Sequence, residues 1–124
     1  MNSGFVLDTN IILYSLAGDR SITKTLAEEE LYISAMTRIE TLVYHGADAE
    51  YLNKVKDFFE ECTVVEISRA IQDLAVEIRV GYKLKLPDAI IAATAVFMDR
   101  PLLTADRSFF KAKDMVEGIL YKQK

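Results

Sequence analysis

The stretch KLPDAIIAATAVFMDRPLLTAD, Lys85 to Asp106, contains a helix, a strand and three acids, of which Asp88 and Asp106 stand at element boundaries that matter here. Proline is favoured at the first helical position, so Pro87 reads as a helix start, and the apolar run carries that helix to Met98. PLLTA then reads as a short buried strand, and Asp106 follows it directly. Asp88 heads the apolar helix, with Ile91, Ala92 and Ala95 continuing its face at i+3, i+4 and i+7. That spacing puts a carboxylate on the packed side of a buried helix, where an unpaired charge is costly. No lysine or arginine stands at i+3 or i+4 to neutralise it.

The same alternation extends in both directions. FVLD reads as a strand, followed by a helix from about Asn10 to Leu16 that stops near Gly18; SITKTLAEEE is a second helix with Ser21 as its N-cap. LYISA is the second strand, and Thr37 to Tyr44 the next helix, closed by Gly46. Leu52, Val55 and Phe59 make Asp48 to Glu61 an amphipathic helix, and TVVEI is the third strand. Ser68 caps a helix whose stripe is Ile71, Leu74, Ala75 and Ile78, RSFFK is a short helix, and GILY is the last strand.

Strands separated by helices imply right-handed crossovers. The expected fold class is therefore α/β: three layers, α/β/α, around a central parallel sheet of four to five strands. In such folds the site lies beyond the carboxyl ends of the strands, where the strand order reverses. No linker, repeat or low-complexity segment interrupts the chain, so one domain is expected over residues 1–124.

The composition, 51% hydrophobic and 27% charged over 124 residues, suits a soluble domain with a core of its own. Ala89 to Met98 is the longest apolar run and is about half of the roughly 20 residues needed to cross a bilayer. No signal-peptide pattern occupies the N-terminus, so a cytoplasmic location is expected. Cys62 is the one cysteine, which excludes an intrachain disulfide and a multi-cysteine zinc site; it is expected to be a small buried hydrophobe near a helix end. The net charge of −4 has the wrong sign for a passive nucleic-acid binder. Were four of the acids clustered around a metal, the remainder of the chain would balance.

Four acids occupy equivalent places. Asp8 ends the first strand, Glu40 lies a turn into the helix after the second, Asp88 opens the helix before the fourth, and Asp106 ends the fourth. Each has a structural reading as well. Thr37 and Glu40 have capping-box spacing, Asp106 and Asp8 are natural N-caps, and Asp88 is favoured by the helix dipole. Converging carboxylates raise one another's proton affinity unless positive charge sits among them. A hard divalent cation meets that need, because all-oxygen ligation suits Mg²⁺ or Mn²⁺ rather than zinc. His45, beside Gly46, reads as a capping or surface residue, and a ribonuclease mechanism requiring two histidines is excluded.

FVLDTNIILY, ISAMTRIETL, KLPDAIIAATA and LLTADRSF, in this order and spacing, resemble the four signature segments of the PIN domain family. The resemblance covers essentially the whole chain, and the size is similar to that of VapC-type toxin endoribonucleases. It implies that Asp8 and Asp88 hold the metal most directly and that Glu40 and Asp106 complete the site, directly or through water. Thr9, Asn10 and Thr104 match small polar residues that orient those carboxylates, and they read equally as turn and cap residues. Many relatives carry a further acid where this chain has Ser108, which bears on the number of metals.

The implied reaction is metal-dependent hydrolysis of phosphodiesters in single-stranded RNA. The cation lowers the pKa of a water that attacks phosphorus in line, and Glu40 or Asp106 is the candidate to take the proton. Products would carry a 5′-phosphate and a 3′-hydroxyl. The candidates for RNA contact are Arg38, Arg79, Lys83, Lys85 and Arg107, with Tyr82 as a base-stacking residue. A solvated helix end is the alternative for Arg79 to Lys85, and Lys122 and Lys124 read as a tail. The resemblance also implies a VapB-like antitoxin partner, and a homodimer is expected. The alternatives are a PIN-fold binding or assembly module without nuclease activity, a housekeeping RNA-processing nuclease, and a receiver domain. A receiver needs paired acids after its first strand, where LDTN offers one.

Overall fold

Successive residues of a strand face opposite sides of its sheet, and in this chain that alternation divides the core into two. The computed structural model describes residues 4–44 and 46–122, so the expectations for His45 and Lys124 lie outside the described residues. Val6 pairs with Leu102 and Leu7 with Leu103. Val6 and Leu102 pack into one apolar cluster, with Ile71, Ile78, Ala92 and Phe109. Leu7 and Leu103 pack into the other, with Ile11, Ile22, Leu31 and Ile33. A sheet buried on both faces needs a helical layer on each, and it has them.

The elements in chain order are β1 (Gly4–Leu7), α1 (Thr9–Leu16), α2 (Arg20–Leu26), β2 (Glu30–Ser34), α3 (Ala35–Leu42) and α4 (Ala49–Glu60). They continue with β3 (Cys62–Val65), α5 (Arg69–Tyr82), α6 (Leu86–Met98), β4 (Leu102–Thr104), a 3₁₀ helix (Arg107–Ala112) and β5 (Gly118–Leu120). The strand order is β3-β2-β1-β4-β5, with every pairing parallel. The chain lays β2 and β3 outward on one side of β1, then places β4 and β5 on the other. The order therefore reverses between β1 and β4, and a crevice opens at their carboxyl ends.

This is the expected three-layer α/β/α architecture with five strands. Several local expectations are corrected. The second helix is capped by Asp19, whose carboxylate accepts from the backbone N–H groups of Ser21 and Ile22, and it ends at Leu26. Asp19 follows the left-handed Gly18, so the chain turns into the helix two residues before Ser21. The capping box of Thr37 and Glu40 does not form, because α3 begins at Ala35 with Ser34 as its cap. Pro87 is the second residue of α6, which puts Asp88 third, still inside the first turn. Cys62 opens β3 and is half-buried.

Helices α5 and α6 pack closely because small residues line the contact: Ala75, Ala89, Ala92 and Ala93 are buried. The turn between them is anchored by Leu84, which is 2% exposed. Lys83 takes the left-handed conformation there, at φ 60° and ψ 32°.

Candidate active site

Asp8 is the first residue beyond β1 and the N-cap of α1. The backbone N–H of Thr9 donates to its Oδ1 at 2.8 Å, and the Thr104 hydroxyl donates to its Oδ2 at 2.7 Å. Thr104 ends β4 and is fully buried; its oxygen also accepts from the Asp106 N–H at 2.9 Å. One hydroxyl thus ties the ends of the two central strands and positions both acids. The Thr9 hydroxyl does the same across helices, donating to Glu40 Oε1 at 2.8 Å. Asn10 is exposed on α1 and makes no side-chain hydrogen bond to the acids.

Asp8 is only 6% exposed. Burial pushes its carboxyl up from 3.8 to about 6; Asp88 and Asp106 add to the rise, while the bonds from Thr104 and Thr9 oppose it. Asp88 is half-buried, and it too is shifted upward, first by burial and then by Asp106 and Glu40, with Lys85 opposing. Asp106 caps the 3₁₀ helix, accepting from the Ser108 N–H at 2.9 Å. Capping and clustering are therefore both true of Asp8 and Asp106: the caps set where the carboxylates sit.

Among the described residues, the ion pair within salt-bridge distance is Lys54–Glu50, so none of these four acids has a basic side chain in salt-bridge contact, and Lys85 acts on Asp88 only at longer range. The donors are all carboxylate oxygen, which fits a hard divalent cation in chemistry. In geometry the acids form an open arrangement. Among the described residues, no three His, Cys, Asp or Glu side chains are grouped so that they could hold a metal ion as they stand. Asp88 and Asp106 raise the Asp8 carboxyl, and Asp106 and Glu40 raise that of Asp88.

A cleft of about 310 Å³ opens beside these acids, lined by Lys83, Leu84, Lys85, Asp88, Asp106, Ser108 and Lys111. Lys83 and Lys85 therefore border this cleft, whereas Arg38 lines a separate groove with Leu42, Leu52, Lys56, Phe59 and Glu60. Arg79 lies in the last turn of α5, where a cation suits the helix dipole, and neither it nor Arg107 lines the cleft. Tyr82 is half-buried and packs against the core. Lys111 was missed. In FFKAKD it resembles any solvated lysine, and its place on the 3₁₀ helix puts it in the lining of the same cleft as Asp106. No helix of the described residues is long and apolar enough to cross a membrane.

Comparison with known proteins agrees with this geometry. A chain of a toxin–antitoxin complex from Klebsiella pneumoniae is 31% identical, with a TM-score of 0.73 over 86% of this chain and 89% of that one. VapBC2 from Rickettsia felis, solved bound to a DNA fragment from its promoter, is similar at a TM-score of 0.83 and 17% identity, covering 96% and 99%. FitAcB from Neisseria gonorrhoeae is similar at 0.72 and 22%, covering 93% and 96%. The latter two likenesses are of fold. No match is found among curated proteins. The PIN domain family model matches residues 5–115, a range that runs from within β1 to beyond β4 and takes in the positions of the four acids. The chain belongs to the PIN domain family.

Proposed function

We propose that this protein is a metal-dependent endoribonuclease and the toxin of a type II toxin–antitoxin pair. The observation that carries the reading is Asp8, a buried carboxylate without a basic partner, facing Asp88 and Asp106 at the switch point of a parallel sheet. Asp8, Asp88, Glu40 and Asp106 are the residues that would hold Mg²⁺ or Mn²⁺. When bound, such an ion supplies charge neutralisation and Lewis acidity toward water and the phosphoryl oxygens.

The residues of the chain do the rest. Thr104 and Thr9 orient Asp8 and Glu40, and the buried floor at Leu103 and Thr104 excludes bulk water from beneath the acids. Hydrolysis forms a bond from water oxygen to phosphorus and breaks the bond from phosphorus to the 3′-oxygen, which takes a proton from solvent and leaves as a hydroxyl. A carboxylate takes the proton of the attacking water. Asp106 is the preferred candidate because it lines the cleft and Glu40 does not; each of the two has one oxygen engaged, by the Ser108 N–H and the Thr9 hydroxyl. The proposed substrate is single-stranded RNA.

The reading extends to a single PIN domain over the chain, a cytoplasmic location, a homodimer and a VapB-like antitoxin partner. The relatives described above come from complexes titled toxin–antitoxin and VapBC, which supports that partnership. Purified protein should cleave RNA with Mg²⁺ or Mn²⁺, stop with EDTA, and lose activity as Asp8→Asn or Asp88→Asn while staying folded by circular dichroism. Metal-insensitive cleavage, or full activity in both variants, would overturn the proposal.

A further inference from the structure

The cleft is asymmetric in charge. Three of its lining residues are lysines, although the chain as a whole is net −4. They come from two segments remote in sequence, the α5–α6 turn and the 3₁₀ helix, which the fold sets around one opening. Both segments are pinned from below. Leu84 is buried between Lys83 and Lys85, and Phe109 and Ala112 are buried on either side of Lys111. The ammonium groups therefore extend from fixed backbone rather than from a fraying loop.

Lys83 gives an independent sign. The position just after a helix, with φ of 60°, is one where glycine is usual, because a Cβ there is strained. Gly81 stands two residues earlier, and a lysine occupies the strained site. Strain held next to a functional cleft is a reason to look for use of the side chain that causes it. None of the three lysines is committed to an ion pair, although Asp88 and Asp106 line the same opening. The space between the lysines and the carboxylates is left to a ligand that carries negative charge along its length.

We propose that Lys111, together with Lys83 and Lys85, is a phosphate-binding arm that positions the RNA backbone, so that the phosphate next to the scissile one rests on the 3₁₀ side of the cleft. A lysine ammonium suits this task as a compact point charge that meets a phosphate oxygen in many orientations. The strand then enters between the α5–α6 turn and the 3₁₀ helix. Arg38, Arg79 and Arg107 are not among the residues that line that opening, and the arm does not include them. This inference rests on the nuclease reading above, with Lys111 as a positioning residue rather than a catalytic one.

The test uses the full chain and a fluorescent single-stranded RNA. Cleavage is measured in the wild-type background with Mn²⁺, and equilibrium binding by anisotropy in an Asp88→Asn background. Lys111→Ala should raise KM and the binding Kd several-fold with kcat little changed. It should also flatten the dependence of log Kd on log salt by about 0.7, the loss expected for one contact to a single strand. Lys111→Arg should keep most of the affinity. Lys113→Ala, the same charge change two residues further on and outside the cleft, should alter neither. Lys83→Gly should weaken binding while raising thermal stability, a combination that a merely structural role cannot produce. Equal effects of Lys111→Ala and Lys113→Ala, or unchanged affinity in Lys111→Ala, would overturn the arm. Absence of cleavage by the wild type would overturn the nuclease reading instead, and the binding measurement would still decide the arm.

Discussion

The Thr104 hydroxyl donates to Asp8 Oδ2 at 2.7 Å across 96 positions of sequence, and the same oxygen accepts from the Asp106 N–H. Two acids on adjacent strands are thus positioned by one buried side chain that is not itself acidic. Thr104→Val keeps the shape and removes the hydroxyl, leaving ionised Asp8 with one bond fewer and the Asp106 N–H without its acceptor. Cleavage should fall about 10- to 100-fold, with more Mg²⁺ needed for half-maximal rate. Thr104→Ser should recover most of both; equal rates in Thr104→Val and wild type would remove Thr104 from the site.

Asp8 also makes stability depend on pH and on metal. Its carboxyl holds a proton more tightly folded, near 6, than unfolded, at 3.8. The folded state therefore binds more protons across that window, and the metal-free protein loses stability as pH rises through it, by about 3 kcal/mol at most. Thermal denaturation in EDTA should show Tm falling between those values. Mg²⁺ should raise Tm at about pH 8 and leave it unchanged at about pH 4. Asp8→Asn should be more stable than wild type in EDTA at the higher pH, and a pH-independent difference between the two would contradict this account.

Thr37 is fully buried, and its hydroxyl has no partner among the described residues. A buried hydroxyl without a bond costs stability that a methyl group of the same shape does not. Thr37→Val is expected to raise stability by about 1 kcal/mol, read from urea midpoints at constant m-value. A lower midpoint would mean that the hydroxyl is satisfied in solution.

Cys62 should be chemically quiet. Burial, with a contribution from Glu61, pushes its thiol up to about 12, and the thiolate is the reactive form. Alkylation by iodoacetamide at about pH 8 should be on the order of 100-fold slower than in the urea-unfolded chain and should accelerate with rising pH. Comparable rates folded and unfolded would place the sulfur at the surface.

The order of strands and helices was legible in the sequence because each element carries its own period: short apolar runs for a sheet buried on both faces, and a 3.6-residue stripe for Ile71, Ala75 and Ile78. The errors fell where two local signals competed. Asp19 and Ser21 are both good caps, and the turn at Gly18 chose between them. Thr37 and Glu40 have capping-box spacing, but Ser34 starts that helix earlier, which leaves Glu40 to Thr9 and buries Thr37.

The chemistry of the site was likewise present in the residue types, since Asp8, Glu40, Asp88 and Asp106 each announce themselves beside an element boundary. Their convergence was not, because it depends on β1 and β4 being neighbours, which no local pattern encodes. The same holds for the cations. Lys83, Lys85 and Lys111 line one cleft with Asp88 and Asp106, and Arg38, Arg79 and Arg107 are not among its lining residues. A lysine's charge is written in the chain, but which opening it faces follows from the packing of α5, α6 and the 3₁₀ helix against the sheet.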